Sequence, residues 1–230
     1  MINLITRNVL NCIDNFYHRK RIFNFFKNYN PNLNLIIDIG ANIGEYTKLF
    51  KKVYANSKII CFEPQSKIFM KMKKNLASYN NISFYNCAVG NENTAKELNI
   101  NLGSSYISSF SDFNENSIYF KIRKKLLKKD NNNIYENVKV VRLDSVEEIK
   151  SKKIDLIKID VEGHELEVLE GLGSVINDTE MIMLEIHNSK MYKNYDAKKI
   201  ENFLFNKGFQ ILKCFKFPFL NWSDKIFIKY

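Results

Sequence analysis

LIIDIGANIG, residues 35–44, sets one acid inside a short β-branched apolar run and follows it with a loop that carries two glycines. Leu35 to Ile39 reads as a strand because β-branched residues suit a pleated, buried surface and Gly40 breaks the run. Beyond the loop, Ile43 to Val53 places Tyr46, Leu49, Phe50 and Val53 on one face, as an amphipathic helix requires. Strand, glycine turn and helix in this order make the first half of a βαβ unit. If the rhythm repeats, the fold is a parallel α/β sheet.

It repeats further along the chain. Lys58 to Phe62 reads as a second strand, Ser66 to Ser78 as a helix carrying Ile68, Met72, Leu76 and Tyr79 inward, and Ile82 to Tyr85 as a third strand. From Asn91 to Asp144 the sequence turns polar, with strand candidates only at Ala95 to Asn101, Tyr106 to Phe110 and Val138 to Leu143. This stretch reads as an insertion passing over the carboxyl edge of the sheet. The rhythm returns with Ile154 to Ile159, a helix from His164 to Leu169, a fifth strand from Met181 to Ile186 and a helix from Ala197 to Asn206. Gly208 is placed to end that helix, and Phe209 to Phe215 with Lys225 to Tyr230 reads as a closing pair of strands. The expected organisation is an N-terminal helical extension over 1–30 and one Rossmann-like domain over 31–230, with the insertion at about 91–144.

Bulk composition agrees with one domain: 230 residues, 45% of them hydrophobic, bury a single sizeable core. The net charge of +10 comes from Lys-rich stretches spread along the whole chain, so it gives only a weak pointer to anionic partners. Neither an NPPY-like motif nor a basic recognition helix accompanies it, which argues against a specific nucleic-acid partner. Cys12, Cys61, Cys87 and Cys214 form no CxxC pair and read as reduced thiols of a cytoplasmic protein. No apolar run reaches the length of a membrane span. Ile2, Ile5, Val9, Ile13, Phe16 and Phe23 precede or flank the basic cluster His18 to Arg21 at near-helical spacing. That helix would pack on the domain or a second subunit, or lie on a membrane surface. Monomer and homodimer both stay open.

In an open α/β sheet the ligand lies beyond the carboxyl ends of the strands, and four of those ends carry an acid: Asp38, Glu63, Asp160 and Glu185. The DxGxxxG loop from Asp38 to Gly44 lets the backbone approach a ligand, but its spacing is not the dinucleotide GxGxxG. A carboxylate at its entrance suits the amino and sulfonium groups of adenosylmethionine better than a pyrophosphate. Glu63, 25 positions after Asp38, can accept both ribose hydroxyls, or else cap the next helix. Cys87 to Gly90 closes the third strand with small residues, as a flat adenine ring or an ordinary turn would require.

DIGANIGEYT at 38–47, FEP at 62–64, AVG at 88–90, VRLDS at 141–145 and IDLIKIDVEGHELEVLEG at 154–171 together resemble the FkbM-type methyltransferases, over roughly residues 33–188. The last stretch is the most specific. The resemblance implies an α/β, Rossmann-like class I methyltransferase fold: a mostly parallel seven-stranded sheet with helices on both faces. It implies an S-adenosylmethionine-dependent enzyme that O-methylates a hydroxyl on a sugar, glycoconjugate or related metabolite. On that likeness Asp38, Gly40, Ala41, Asn42, Gly44 and Glu63 hold the cofactor, with Ala88 and Val89 near the adenine. The tail after Asn194 and the N-terminal helix lie outside the motifs, so the acceptor is not implied.

Methyl transfer to oxygen asks the protein to align the acceptor and take its proton. Asp160, Glu162 and His164 cluster after the fourth strand and His187 follows the fifth, so Asp160 or His187 is the expected base, with Glu162 beside them. Glu162 and His164 also have plain readings, as a helix cap and as an exposed first turn. Asp160, Glu185 and Asn188 supply oxygen ligands of the kind Mg²⁺ accepts, so a metal-assisted version is a second expectation. Ser104, Ser105, Ser108 and Ser109 offer hydroxyls from the insertion. Lys121 to Lys129 would attract a phosphorylated or nucleotide-linked sugar, unless it is simply a solvated helix face. A nicotinamide-dependent oxidoreductase on the same fold and a noncatalytic nucleotide- or nucleic-acid-binding protein are the alternatives.

Overall fold

Alternation along β1 (Leu35–Ile39) sets the two layers of the molecule. Leu35, Ile37 and Ile39 enter one apolar cluster and Ile36 the other, so the strand is buried on both faces. The computed structural model describes residues 17–29, 32–101, 108–110, 114, 133–187, 192–217 and 222–230. Within it, α1 (Arg19–Tyr29), α2 (Glu45–Val53), β2 (Lys58–Phe62), α3 (Ser66–Asn75) and β3 (Ile82–Tyr85) are followed by β4 (Ala88–Val89), β5 (Thr94–Asn101), β6 (Ser108–Ser109) and β7 (Asn133–Val141). Then come β8 (Ile154–Ile159), α4 (Glu165–Gly171), β9 (Thr179–His187), α5 (Ala197–Asn206), β10 (Phe209–Lys216) and β11 (Trp222–Lys229).

Seven strands form the main sheet in the order β10-β11-β9-β8-β1-β2-β3. The pairs from β9 to β3 are parallel, and β11 runs antiparallel to both of its neighbours. Strand order therefore reverses at β1, whose neighbours are β2 and β8. That is the switch point where such sheets open a crevice for ligands. Val168, Leu169, Ile200 and Leu204 from α4 and α5 cover one face; Ile22, Phe26, Leu49, Phe50 and Met72 from α1, α2 and α3 cover the other.

The strand limits read from the sequence hold within two residues for most of the main sheet, except that β11 starts three residues earlier than expected. The Ile43 to Val53 helix starts at Glu45, and Gly208 follows α5 with φ 85°. Between Ala88 and Val141 the chain forms a second sheet, β4-β7-β5-β6, in which β5 pairs antiparallel with Asn133 to Val140 of β7. Glu136 of β7 accepts hydrogen bonds from the Ser66 amide and hydroxyl, which brings this sheet to the carboxyl edge beside β2.

The segment before β1 packs on the domain: Ile22 and Phe26 are fully buried, and Tyr54 donates to the Phe26 carbonyl. Ile2, Ile5, Val9, Cys12, Ile13, Phe16, Ser104, Ser105, Lys121 to Lys129 and Asn188 lie outside the described residues. Cys61, Cys87 and Cys214 are free thiols. No described helix is long and apolar enough to cross a membrane.

Candidate active site

The turn after β1 is closed by backbone. The Gly40 and Ala41 amides both donate to the Phe62 carbonyl at 3.0 Å, and the Gly44 amide donates to Ala41 at 2.8 Å. Gly40 has φ 74°, and a Cβ there would lie 1.9 Å from the Asp160 carbonyl oxygen. Only glycine lets β1 and β8 end this close together. Asn42 is also left-handed, with φ 51°, and its side chain accepts from the Ile43 amide. The result is a small-residue cradle at the switch point.

Glu63 fastens that cradle to the next loop. Its carboxylate accepts the Asn42 and Gln65 amides, each at 2.9 Å, and the residue is buried. Burial pushes its carboxyl up to about 7, against the pull of those two amides. Glu63 is not the cap of α3, because Gln65 holds the N-cap position and Glu63 accepts that residue's amide. Each oxygen keeps a second lone pair for a further donor.

Asp38 sits deeper than a ligand-contacting acid would. It is fully buried, accepts the Thr47 hydroxyl at 2.7 Å, and faces the ammonium of Lys158 at 3.5 Å. Lys158 is its register partner in β8. The same ammonium lies 3.2 Å from Asp160, 3.4 Å from the Gly40 carbonyl and 4.8 Å above the Tyr46 ring. Burial opposes its charge, but Asp160 and Asp38 hold the amine firmly protonated. Sequence reasoning missed this residue. Its signal was a lysine within the apolar strand Ile154 to Ile159, buried on both sides, where a cation must have partners.

After β8 the chain makes two successive left-handed residues, Glu162 (φ 53°) and Gly163 (φ 98°). Glu162 accepts the Tyr192 hydroxyl rather than capping α4, and the Tyr192 ring fills the space a Gly163 side chain would need. Glu165 accepts the Gly163 amide at 3.0 Å through one oxygen, while its other oxygen is buried without a hydrogen-bond partner among the described residues. Burial, then repulsion from Asp160 and Glu162, pushes its carboxyl to about 8. Glu185 is raised well above the usual range by burial and by Asp160, Glu162, Asp224 and Glu165.

His187 is buried, with Nε2 3.2 Å from Glu185 Oε1, and its ring stands edge-on to Tyr192 and Tyr195. His164 is not the exposed residue of a first turn. It is buried at the start of α4, its ring against Phe110 and its pKa lowered by that burial, because α4 packs on the second sheet. Ala88 and Val89 are buried in β4 and pair with Val140 and Val141; Val89 belongs to the core.

The structure thus brings Asp38, Gly40, Ala41, Asn42, Gly44, Glu63 and Asp160 together around one turn, and gathers Glu162, Glu185 and His187 beside it. Ala88 and Val89 stand at the start of the second sheet. Among the described residues, no three His, Cys, Asp or Glu side chains converge as metal ligands. VRLDS has a different role: the Arg142 guanidinium forks onto Asp144 at 3.0 and 2.7 Å and also donates to the Asn91 carbonyl. Its motif is a structural clamp.

A switch-point cradle beneath an acid-lined strand edge, on a sheet of this order, defines the class I methyltransferase fold. The Geobacter metallireducens GS-15 precorrin-6y C5,15-methyltransferase shares it, with a TM-score of 0.51, 13% identity and coverage of 92% of this chain and 88% of that one. The Lactobacillus delbrueckii subsp. bulgaricus ribosomal protein L11 methylase also has a TM-score of 0.51, at 12% identity over 92% of this chain and 79% of that one. The FkbM methyltransferase domain matches residues 38–211, and the chain belongs to that family. It is a methyltransferase.

Among its relatives, Methyltransferase 1 of Beauveria bassiana (strain ARSEF 2860) is 28% identical over 189 residues, covering 79% of this chain and 74% of the relative. The 2-O-methyltransferase NoeI of Sinorhizobium fredii (strain NBRC 101917 / NGR234) is 24% identical over 168 residues, covering 69% of this chain and 65% of NoeI. The chain thus spans just under two thirds of NoeI. This kinship favours methyl transfer over the nicotinamide-dependent alternative.

Proposed function

We propose that the protein transfers the methyl group of S-adenosylmethionine to a hydroxyl of a sugar, glycoconjugate or related small metabolite. The observation that carries the cofactor reading is the turn in which Gly40 packs on the Asp160 carbonyl while Glu63 grips the Asn42 amide. A backbone cradle ringed by carboxylates fits a nucleoside that carries positive charge. Gly40, Ala41, Asn42 and Gly44 would border the cofactor, Glu63 would accept its ribose hydroxyls, and Ala88 with Val89 would back the adenine. Asp38 would act from behind the cradle, through Thr47 and Lys158. When bound, the cofactor supplies an electrophilic methyl group.

The chain's own work is alignment and proton removal. Of the two expected bases, Asp160 is favoured, because its side chain is 26% exposed at the strand end while His187 is buried against Glu185. Lys158 fixes one Asp160 oxygen and leaves the carboxylate oriented to accept an acceptor's proton. His187 and Glu162 would shape the acceptor side. The 2-O-methyltransferase name of NoeI supports oxygen as the receiving atom, and the free thiols fit a reducing cytoplasm.

The test is incubation with methyl-labelled adenosylmethionine and a panel of free sugars, lipid-linked sugars and nucleotide sugars, with products identified by mass. Label on a hydroxyl, reduced at least about 100-fold in Asp160→Asn, is the expected result. Label transferred to nitrogen or carbon, or transfer untouched in Asp160→Asn, would overturn this reading.

A further inference from the structure

Lysines recur along the whole chain, but charge is not spread evenly over the fold. The helices α1, α2 and α3, which cover one face of the main sheet, carry eleven Lys or Arg residues and a single acid, Glu45. That surplus equals the +10 of the full chain, so all other residues together balance. On the opposite face the sign changes: α4 holds Glu165, Glu167 and Glu170 with no base, and α5 holds Lys198, Lys199 and Glu201. A surface charged for solubility alone mixes both signs. Glu45 does little to offset the basic face, since Arg19 and Lys48 already share its two oxygens, each at 3.1 Å.

The helix α3 shows how this face is built. Ile68 and Met72 are buried, while spacing of three and four residues lines up Lys67, Met70, Lys71 and Lys74 on the solvent side, all exposed. Met70 is 64% exposed amid these lysines. Lys20 and Lys27 of α1 and Lys52 of α2 are exposed as well. The two α1 arginines are engaged within the chain, Arg19 by Glu45 and Arg21 by the Tyr17 and Phe215 rings.

We infer that the face formed by α1, α2 and α3 is a docking surface for an anionic lipid bilayer. Lysine ammoniums meet lipid phosphates as point charges on flexible stems, and each one close to an anionic bilayer raises binding about fivefold. Met70 gains by reaching the boundary between headgroups and acyl chains. A nucleic acid offers the same phosphates, but it is gripped best by forked, stacking arginines. In α3 every basic position is lysine, with an apolar side chain among them. Leu76, which caps α3, packs against Gly44, so a bilayer on this face would run alongside the turn after β1. The inference stands apart from the identity of the methyl acceptor.

The experiment is co-sedimentation of the full chain with vesicles of phosphatidylcholine alone, or of phosphatidylcholine with phosphatidylglycerol, at about 0.1 M and about 1 M salt. Wild type is compared with the triple variant Lys67→Gln, Lys71→Gln, Lys74→Gln and with Met70→Gln. A second triple variant, Lys198→Gln, Lys199→Gln, Lys207→Gln, removes the same charge from the opposite layer. All are compared at equal folded fraction, read from thermal melts. Wild type should bind only the phosphatidylglycerol vesicles, and only at the lower salt, where the Debye length is about 10 Å. The α3 triple variant should lose about 100-fold in affinity, Met70→Gln about fivefold, and the opposite-layer variant less than about twofold. No binding of folded wild type to phosphatidylglycerol vesicles, or equal loss in the two triple variants, would overturn the inference. A second arm follows a fluorescent single-stranded RNA by anisotropy. RNA held through the same α3 lysines, without vesicle binding, would give this face to a nucleic acid and overturn the bilayer reading.

Discussion

Asp38–Gly44 and Val141–Ser145 both resemble signatures in the sequence, and both place charge near a left-handed glycine, yet they balance that charge in opposite ways. Around Val141–Ser145 the account closes locally: Arg142 forks onto Asp144, and Gly173, with φ 55°, lets both approach the neighbouring turn. Around Asp38–Gly44 it stays open. One lysine serves two aspartates, and one Glu165 oxygen has no hydrogen-bond partner among the described residues. A motif whose charges are satisfied by its own neighbours holds the fold together, whereas one that leaves carboxylates in excess is prepared for something that is not part of the chain.

Lys158→Met should break that contrast most severely. It strands Asp38 and Asp160 in a buried site, and stability should fall by about 3 to 5 kcal/mol in denaturant melts. Adding Asp38→Asn should recover part of the loss; no recovery would mean that Lys158 acts by packing alone. Gly40→Ala comes next. The added methyl meets the Asp160 carbonyl, so S-adenosylhomocysteine affinity should drop at least about 100-fold, or about 2.7 kcal/mol, in calorimetry.

Gly173→Ala sharpens the comparison from the other side. It should cost about 1 to 3 kcal/mol of stability through backbone strain and crowding of Asp144 while leaving cofactor affinity unchanged. A changed affinity would join the two regions functionally. The pH response follows from Glu63 and Glu165, whose folded carboxyls lie near 7 and 8 against an ordinary 4.5. The folded state binds protons that the unfolded state has released, so the stability these two carboxyls contribute to the ligand-free protein is full below about pH 4.5 and is lost as the pH rises through about 7 and 8. It should fall toward pH 8, by at most about 1.4 kcal/mol per group per pH unit. Glu165→Gln should flatten part of that slope. Asp144→Asn should be mildest, about 0.5 to 1 kcal/mol, because its pair with Arg142 is partly exposed.

The strands were legible because each is a short β-branched run ended by glycine, proline or an acid, as in Leu35–Ile39 before Gly40 and Lys58–Phe62 before Glu63. The positions of the strand-end acids followed from the same pattern. What each acid touches did not, since a carboxylate at a strand end looks the same in sequence whether it faces a ligand or, like Asp38, a threonine and a lysine behind the turn. The plain reading of His164 as an exposed first turn failed because Phe110, which packs against its ring, comes from a distant part of the sequence. Asp144 read as part of a family signature because its partner Arg142, only two residues away, gives no periodic signal.

The most direct test of the central claim is calorimetric titration of the purified full chain with S-adenosylhomocysteine, repeated on Gly40→Ala and Gly173→Ala. The structure predicts one site per chain in wild type, retained in Gly173→Ala and lost in Gly40→Ala. No binding to folded wild-type protein, or equal binding by Gly40→Ala, would contradict the assignment of the cofactor to the turn after β1.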